Sequence, residues 1–499
     1  MYIKHLLFAA ITGFLLVLSF PNFNYKALVW VGLLPLLIAI HEVSPKFGRR
    51  AFFLGLISGI IFFGGLTYWM LQLSRWVGIF ALIAWISLAL FEALFIACFS
   101  FGVQTLKHSS PWARLFTIPA LWVALEYLRS MGVWGFSWGV LGYSQQTNPL
   151  LIQMARITGV YGISYVILMI NVLLLEIYFY LIGNKSTIQR ALLKRICVVA
   201  TILIFVLMWG FYSLKSGISK DRSLKVSAVQ ASIPQEEKWS FEGKEDIETI
   251  HTNLTLEAGR GNPDLIIWPE TAVPGYLLEE GYFFGEIKDI ARRLKCYLLI
   301  GSLHLEDAKQ YNSAFLISPL GEVVGRYDKL HLVPFGEYIP LRPIFSRIKT
   351  IAGLGKDVDP GREFTVFTID KGKFSVVICF ESANPMLCRR MVTRGAQLLI
   401  TITNDAWFGR TAAAEQHVQI TALRAVENGI YAIQAANTGV SAIIDPHGCI
   451  FKRTALFDRR ILACKGYFTE GSTFYLRYGD LFALLCLLVG SGAFLKKCC

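Results

Sequence analysis

Long apolar runs fill the first 214 residues of this 499-residue chain, and one more run closes it after residue 478. Hydrophobic residues make up 54% of the sequence and charged residues only 17%. Each run comes close to the roughly 20 residues that an α-helix needs to cross a bilayer, which is more than the core of a globular protein requires. The runs therefore predict a polytopic α-helical membrane domain.

Eight transmembrane helices are predicted, seven before the polar part of the chain and one after it. Their approximate limits are His5–Phe20, Ala27–Ile40, Ala51–Gln72, Val77–Val103, Ala113–Tyr127, Thr158–Ile182, Arg195–Leu214 and Tyr478–Leu495. The first run could instead be a signal peptide, because Lys4 precedes it. No small-x-small cleavage site follows, however, and Pro21-Asn22-Phe23 leads directly into the next run, which favours a span.

Basic residues between the spans predict the orientation. With the N-terminus inside, 12 Lys and Arg residues fall in inside segments and four in short outside loops, so the positive-inside rule puts both termini in the cytoplasm and the large polar segment outside. The inside residues are Lys4, Lys46, Arg49, Arg50, Lys107, Arg114, Lys185, Arg190, Lys194, Arg195, Lys496 and Lys497, and the outside ones are Lys26, Arg75, Arg129 and Arg156. Much of the net charge of +13 is then a topological signal beside the inner leaflet and implies no nucleic-acid partner.

Ionisable residues inside the spans leave two interpretations open. Glu92 and Glu126 lie in the fourth and fifth spans, where a carboxylate either serves function or pairs with a buried polar group of a neighbouring helix.

Cysteine usage adds one constraint on the outside segment. That segment holds five of the ten cysteines, so even complete disulfide pairing in an oxidising compartment leaves one free thiol.

The composition changes sharply after Leu214, where strand and helix signals begin to alternate at the spacing of an α/β domain. We expect one mixed-sheet, helix-flanked unit of about 250 residues. The predicted domains are therefore residues 1–220 with seven spans, 221–472 as the α/β domain, and 473–499 as the eighth span with a cytoplasmic tail.

Three predicted strand ends carry candidates for chemistry. Glu270 follows an apolar strand and Pro269, Lys329 precedes a loop broken by Pro and Gly, and Cys379 ends the β-branched run that starts at Phe374. Taken singly, they are ordinary: a solvated Glu, a surface Lys and a packed Cys. Taken together, they supply a nucleophilic thiol, a base within reach of it and a cation for thiolate and oxyanion.

Four motifs at these strand ends resemble the carbon–nitrogen hydrolase (nitrilase) superfamily and its Glu-Lys-Cys triad. The motifs are WPET, YDKLHLVPFGEY, VICFE and NDAWFG, which begin at Trp268, Tyr327, Val377 and Asn404. Their extended forms, HLVPFGEYIP and TNDAWFG with RAVEN and ANTGVS after them, resemble more specifically the apolipoprotein N-acyltransferase family of the bacterial inner membrane. The resemblance implies that Glu270, Lys329 and Cys379 are catalytic.

The resemblance also implies supporting residues in the active site. They are Glu337, Glu381, Trp239 and Phe380, the last of which stands where many relatives are expected to carry Tyr. The implied fold of the outer domain is an α-β-β-α sandwich. No metal or organic cofactor is implied, and the scattered positions of His304, His331, His417 and His447 suggest no zinc site.

The function implied by the resemblance is acyl transfer between lipids. A phospholipid, typically phosphatidylethanolamine, would donate a fatty acyl chain through a cysteine thioester to the N-terminal α-amine of S-diacylglyceryl-cysteine on an apolipoprotein, with the catalytic domain on the periplasmic side of the inner membrane. One rival is a membrane-anchored amidase of the nitrilase type, in which water accepts the acyl group. Another is a transporter or scaffold whose outer domain only binds, against which the complete set of triad motifs argues.

The predicted topology is testable with reporter fusions. A reporter enzyme that is active only outside the cytoplasm should be active when fused after Arg222 and inactive when fused after Lys185, because the seventh span separates these positions. The opposite pattern would contradict the assignment of compartments.

Overall fold

The computed structural model describes residues 2–44, 48–183, 189–218, 222–238, 243–340 and 356–498. The chain divides into two compact units. The helical unit comprises Met1–Ser74, Gly78–Ser216 and Tyr478–Cys499, and the α/β unit comprises Arg75–Val77 and Gly217–Arg477.

Apolar helices build the helical unit, and helices cover all eight predicted spans. In chain order they are α1 Tyr2–Leu18, α2 Val29–Gly32, α3 Leu34–Glu42, α4 Gly48–Leu66, α5 Ser74–Val77, α6 Ile79–Thr105, α7 Pro111–Arg129, α8 Pro149–Ile152, α9 Ala155–Thr158, α10 Val160–Ile182 and α11 Gln189–Lys215. Within the described residues, α4, α6, α10 and α11 are long and apolar enough to cross a membrane. A membrane domain is therefore supported, and the number of eight spans stays a prediction.

Glycine lets two of these helices pack at very short distance. A Cβ atom at Gly59 of α4 would lie 2.6 Å from the Cα of Ala93 on α6, and one at Gly55 would lie 2.5 Å from the carbonyl oxygen of Ile96. Small residues four apart on one helix face are a common way for membrane helices to approach each other, because packing rather than water exclusion drives their association.

The two carboxylates predicted inside spans both have partners. Arg129 Nη1 donates to Glu92 Oε2 at 3.0 Å, and the same nitrogen donates to the carbonyl oxygens of Phe136 at 2.6 Å and Trp138 at 2.8 Å. Glu126 Oε1 accepts from the backbone N–H of Leu141 at 2.9 Å. Glu126 thus binds the segment that follows α7 directly, and Glu92 pairs with Arg129 at the end of α7, which supports the pairing interpretation over the functional one.

Two β-sheets form the centre of the α/β unit. The strands are β1 Arg222–Gln230, β2 Leu265–Ile267, β3 Val273–Tyr276, β4 Tyr297–Glu306, β5 Lys309–Ile317, β6 Val323–Asp328, β7 Phe367–Ile369, β8 Gly372–Ile378, β9 Leu398–Thr403, β10 Tyr431–Ala436, β11 Ala442–Ile444, β12 Ile450–Arg453 and β13 Arg460–Phe468. The first sheet has the order β13-β1-β2-β4-β5-β6 with β3 beside β4, and the second runs from β12 down to β7.

Helices complete the layers of this unit. They are α12 Gln235–Lys238, α13 Lys244–Gly259, α14 Gly281–Leu294, α15 Pro385–Thr393 and α16 Ala413–Asn428, and the chain ends in α17 Phe474–Tyr478 and α18 Leu481–Cys498.

The alternation of side chains along the strands explains the layering. On β2, Leu265 and Ile267 point into the core between the two sheets, whereas Ile266 points to the opposite face and packs with Ile287 of α14. On the far side of the second sheet, α16 covers β10 and β11. Side chains with a period of two build both faces of each sheet, which gives the order helix, sheet, sheet, helix. The predicted α/β sandwich of the C-terminal half is therefore confirmed.

Candidate active site

The three predicted catalytic residues meet in one place within the α/β unit. Glu270 follows β2 by three residues, Lys329 directly follows β6, and Cys379 directly follows β8 of the other sheet. The ionisable side chains of Glu270 and Lys329 are both within electrostatic reach of the Cys379 thiol. The ends of three strands thus bring together residues that lie up to 109 positions apart in sequence.

Lys329 is a buried cation between two carboxylates. Only 1% of the residue is exposed. Its Nζ donates to Glu337 Oε1 at 2.9 Å and to Glu270 Oε1 at 3.4 Å. Burial alone lowers the pKa of Lys329, but the carboxylates of Glu337 and Glu270 outweigh this effect and hold the pKa above its ordinary value. The side chain is therefore an ammonium at any physiological pH.

Glu270 is held on a stiff turn by contacts to both carboxylate oxygens. Oε1 accepts from Asn312 Nδ2 at 2.8 Å, and Oε2 accepts from the backbone N–H of Asn404 at 2.9 Å. The turn lies against β4, where a Cβ at Gly301 would be 2.3 Å from the carbonyl oxygen of Pro269. Glycine at that position is what allows the close approach. The result is a carboxylate with a fixed direction.

Cys379 occupies a strained backbone position. Its φ of 54° lies in the left-handed region, which side chains other than glycine rarely adopt, and the 3₁₀ turn Cys379–Ala383 begins here. Such strain is common at functional sites, because the surrounding structure must enforce it. Burial raises the pKa of the Cys379 thiol well above its ordinary range, and Glu270 adds to this effect while Lys329 opposes it. The thiol at rest is therefore protonated and needs a base to become a nucleophile.

Glu337 is the second carboxylate that contacts the Lys329 ammonium. Its Oε1 accepts from Lys329 Nζ and from Asn312 Nδ2, at 2.9 and 3.0 Å. Its Oε2 accepts from the backbone N–H of Val333 at 2.9 Å, which closes the loop on itself. Phe335 in this loop has a φ of 61°, so this loop of the site, like the one at Cys379, contains a residue with strained backbone.

Glu381 braces the two loops that carry Lys329 and Cys379. The side chain is fully buried and accepts from three backbone N–H groups: Leu330 at 2.7 Å, His331 at 2.9 Å and Ile378 at 2.7 Å. The hydroxyl of Tyr327 donates to both oxygens. Burial raises the pKa of Glu381 to about 7, and the hydrogen bonds from Ile378 and His331 limit the rise. This predicted supporting residue lies beside the site and fixes its geometry.

Of the two predicted supporting aromatic residues, the structure describes Phe380 alone. The Phe380 ring stacks on the His331 imidazole with centroids 6.2 Å apart, so it lines the loop after Lys329. Trp239 lies outside the described residues.

Two asparagines and an Asp–His pair belong to the site but carry no predicted role. Asn312 bridges Glu270 and Glu337, and its sequence surroundings give no signal for this. Asn404 belongs to the TNDAWFG motif, which marks it only by position. Behind the nucleophile, His417 Nδ1 lies 3.1 Å from Asp405 Oδ1 and His417 Nε2 lies 3.2 Å from the carbonyl oxygen of Cys379.

The arrangement supplies three chemical functions. Glu270 can take a proton, Cys379 can attack an acyl carbon, and the Lys329 ammonium can stabilise the negative charge that develops on the carbonyl oxygen. Among the described residues, no group of three or more His, Cys, Asp or Glu side chains is arranged to hold a metal.

Comparison with known proteins gives matches over both halves of the chain. The family model described as carbon-nitrogen hydrolase matches residues 225–463, and that described as apolipoprotein N-acyltransferase N-terminal domain matches residues 12–173. The apolipoprotein N-acyltransferase of Geobacter metallireducens is 37% identical over 98% of this chain and 95% of the relative. That of Pasteurella multocida is 28% identical over the same shares.

Solved structures described as members of the nitrilase superfamily cover about half of this chain. One from Saccharomyces cerevisiae is 20% identical, covers 50% of this chain and 91% of that chain, and has a TM-score of 0.38.

The brace formed by Glu381 should be essential to stability. In Glu381→Gln, one oxygen is replaced by an amide nitrogen that cannot accept, so buried backbone donors lose their partner at a cost of roughly 2–3 kcal/mol. We expect a clear fall in the midpoint of thermal unfolding in detergent. Glu322→Gln, at an exposed position of the same unit, is the matched control and should leave the midpoint unchanged. Equal midpoints for both variants would contradict the bracing role.

Proposed function

Because this chain belongs to the apolipoprotein N-acyltransferase family, we propose that it transfers a fatty acyl chain from a phospholipid to the N-terminal α-amine of S-diacylglyceryl-cysteine on apolipoproteins. This reaction would complete lipoprotein maturation. The chain is an acyltransferase with a carbon-nitrogen hydrolase domain, and the phospholipid donor, most simply phosphatidylethanolamine, belongs to the proposal.

One observation carries the assignment of Glu270, Lys329 and Cys379 as the catalytic residues. A base, a cation and a thiol from three separate strand ends converge in the α/β unit, and Lys329 is bound to Glu270 and Glu337 at hydrogen-bond distance. The raised pKa of the Cys379 thiol makes the base necessary, and the fixed direction of Glu270 makes it available.

The first half-reaction forms the acyl-enzyme. Glu270 takes the Cys379 proton as the sulfur attacks the ester carbon of the phospholipid, and a bond forms between Sγ and that carbon. Lys329 stabilises the oxyanion of the tetrahedral intermediate. The bond between the acyl carbon and the glycerol oxygen then breaks, Glu270 returns its proton to that oxygen, and the lysophospholipid leaves.

The second half-reaction uses the same groups in reverse. The acceptor amine enters the vacated site and loses a proton to Glu270 as its nitrogen attacks the thioester carbon. The bond from carbon to sulfur breaks, Cys379 regains its proton, and the N-acylated lipoprotein leaves. A covalent intermediate suits this reaction, because donor and acceptor are both lipids and need not occupy one thiol at the same time.

We further propose the topology in which the reaction occurs. Residues 1–220 and 473–499 would hold the enzyme in the bacterial inner membrane with eight spans, and residues 221–472 would form the catalytic domain on the periplasmic side. The basic inside segments and the four long apolar helices support this arrangement. Membrane spans keep the enzyme in the phase where both lipid substrates reside.

A product analysis tests transfer against hydrolysis. Purified enzyme receives phospholipid with a labelled acyl chain, with and without a diacylglyceryl-cysteine peptide. Transfer predicts a label on the peptide amine and little free fatty acid. An amidase-type hydrolase that uses water as acceptor would release free fatty acid whether the peptide is present or not, and that result would overturn the proposal.

The kinetics should be ping-pong, because the lysophospholipid leaves before the acceptor binds. Double-reciprocal plots at several acceptor concentrations should be parallel, and phospholipid alone should give a burst of lysophospholipid equal to the enzyme concentration. Release of lysophospholipid only in the presence of acceptor would contradict the order of steps.

Glu337 should be needed for turnover but not for folding. In Glu337→Ala the Lys329 ammonium keeps Glu270 as its only carboxylate partner among the described residues, which ties up the base and misplaces the cation. We expect a loss of acyl transfer of about 100-fold or more, while the protein still inserts into the membrane and folds, with a lower midpoint of thermal unfolding because a buried ion pair is broken. Glu279→Ala, at an exposed position, is the control. Near-normal turnover in Glu337→Ala would return this residue to a purely structural role.

A further inference from the structure

A second buried lysine lies directly against Glu270. Lys238, the last residue of α12, is only 2% exposed. Its Nζ donates to the carbonyl oxygen of Glu270 at 3.1 Å and to Thr271 Oγ1 at 2.8 Å. Thr271 has a φ of 44°, so the lysine binds the strained peptide that immediately follows the base.

The same short helix also reaches the carboxylate end of Glu270. Gln235 Oε1 accepts from Asn404 Nδ2 at 2.8 Å, and the backbone N–H of Asn404 is the donor to Glu270 Oε2. Asn437 ties this segment further, since its Nδ2 donates to the carbonyl oxygen of Ile233 and to Asn404 Oδ1. The backbone and the side chain of Glu270 are thus both anchored to one turn of the chain.

We propose that Lys238 is a positioning residue for the general base: it holds the turn at Glu270 and its charge favours the carboxylate form that accepts the Cys379 proton. This inference rests on the proposed function, because the proton in question is lost when the thioester forms. Lys238 touches neither substrate nor thiol in this account and acts through Glu270.

The electrostatic surroundings of Lys238 fit such a role. The Glu270 carboxylate favours the charged lysine, whereas burial lowers the pKa of Lys238 to about 7. His251 of α13 is also within electrostatic reach. Burial lowers the pKa of His251 to about 4, and Lys238 adds to this, so the imidazole is neutral and does not compete for the carboxylate. Lys329 is shared with Glu337, so Lys238 gives Glu270 a second cation.

Two substitutions separate anchoring from charge. Lys238→Met removes both the donor and the charge, and Lys238→Gln keeps a donor that can bond the turn but carries no charge. The control is Lys244→Met, because Lys244 lies six residues after Lys238 in sequence and pairs with Glu280 at a partly exposed position. The measured quantity is the burst rate of lysophospholipid release from phosphatidylethanolamine vesicles without acceptor, between pH 4.5 and 9.

The expected results differ between the variants. Lys238→Met should lower the burst rate about tenfold at neutral pH, since a misplaced base is costly. In both Lys238→Met and Lys238→Gln, the acid limb of the pH profile should move to higher pH, because the cation that favours the carboxylate is gone. Lys238→Gln should lose less rate than Lys238→Met, and Lys244→Met should match the wild type.

The inference fails if Lys238→Gln and Lys238→Met keep the wild-type rate and profile. It also fails if the rate falls while the acid limb stays in place, since a merely structural role would give that result. Because Lys238→Gln keeps a polar donor at this position, it keeps the test decisive if Lys238→Met does not fold. Absence of a burst from the wild type itself would instead contradict the proposed function.

Discussion

The ion pairs that the buried Lys329 ammonium makes with Glu337 and Glu270 are the interactions on which the rest of the site depends. An isolated charge at 1% exposure would be strongly unfavourable, so the fold must supply counter-charges at hydrogen-bond distance. It supplies two, Glu337 and Glu270. With Glu337 as the standing counter-ion, Glu270 can gain and lose a proton during the reaction without leaving the lysine unpaired. In the proposed mechanism, the second carboxylate thus frees the first to act as a base.

Holding that cluster in place requires an unusually constrained backbone. Thr271, Phe335 and Cys379 all have positive φ, and each lies in one of the three loops that form the site. These backbone conformations are held by the strands from which the loops emerge and by Glu381. Its buried hydrogen bonds join the loop after β6 to the end of β8. The strained position of Cys379 is therefore supported by the hydrogen bonds of a buried carboxylate that has no chemical step in the proposed mechanism.

The sequence predicts those parts of the structure that local pattern controls. Apolar runs of the right length predict the helices, and strand signals that end at or shortly before Glu270, Lys329 and Cys379 predict both the strands and the site. No local pattern predicts the place of strand β13, because its register is set by pairing with distant β1 rather than by its own alternation of side chains. Asn312 and Lys238 are missed for the same reason, since each acquires its role only when residues 32 to 42 positions away in sequence fold against it.

The central claim, that Cys379 carries the acyl group, is tested most directly by the intact mass of enzyme incubated with phospholipid alone. The account predicts a gain of one acyl chain that hydroxylamine removes, that disappears in Cys379→Ser and that persists in Cys388→Ser. Cys388 is the matched control because it is fully buried, burial raises the pKa of its thiol to about 12, and it hydrogen-bonds only backbone carbonyl groups among the described residues. An adduct that maps to Cys388, or one that survives in Cys379→Ser, would contradict it.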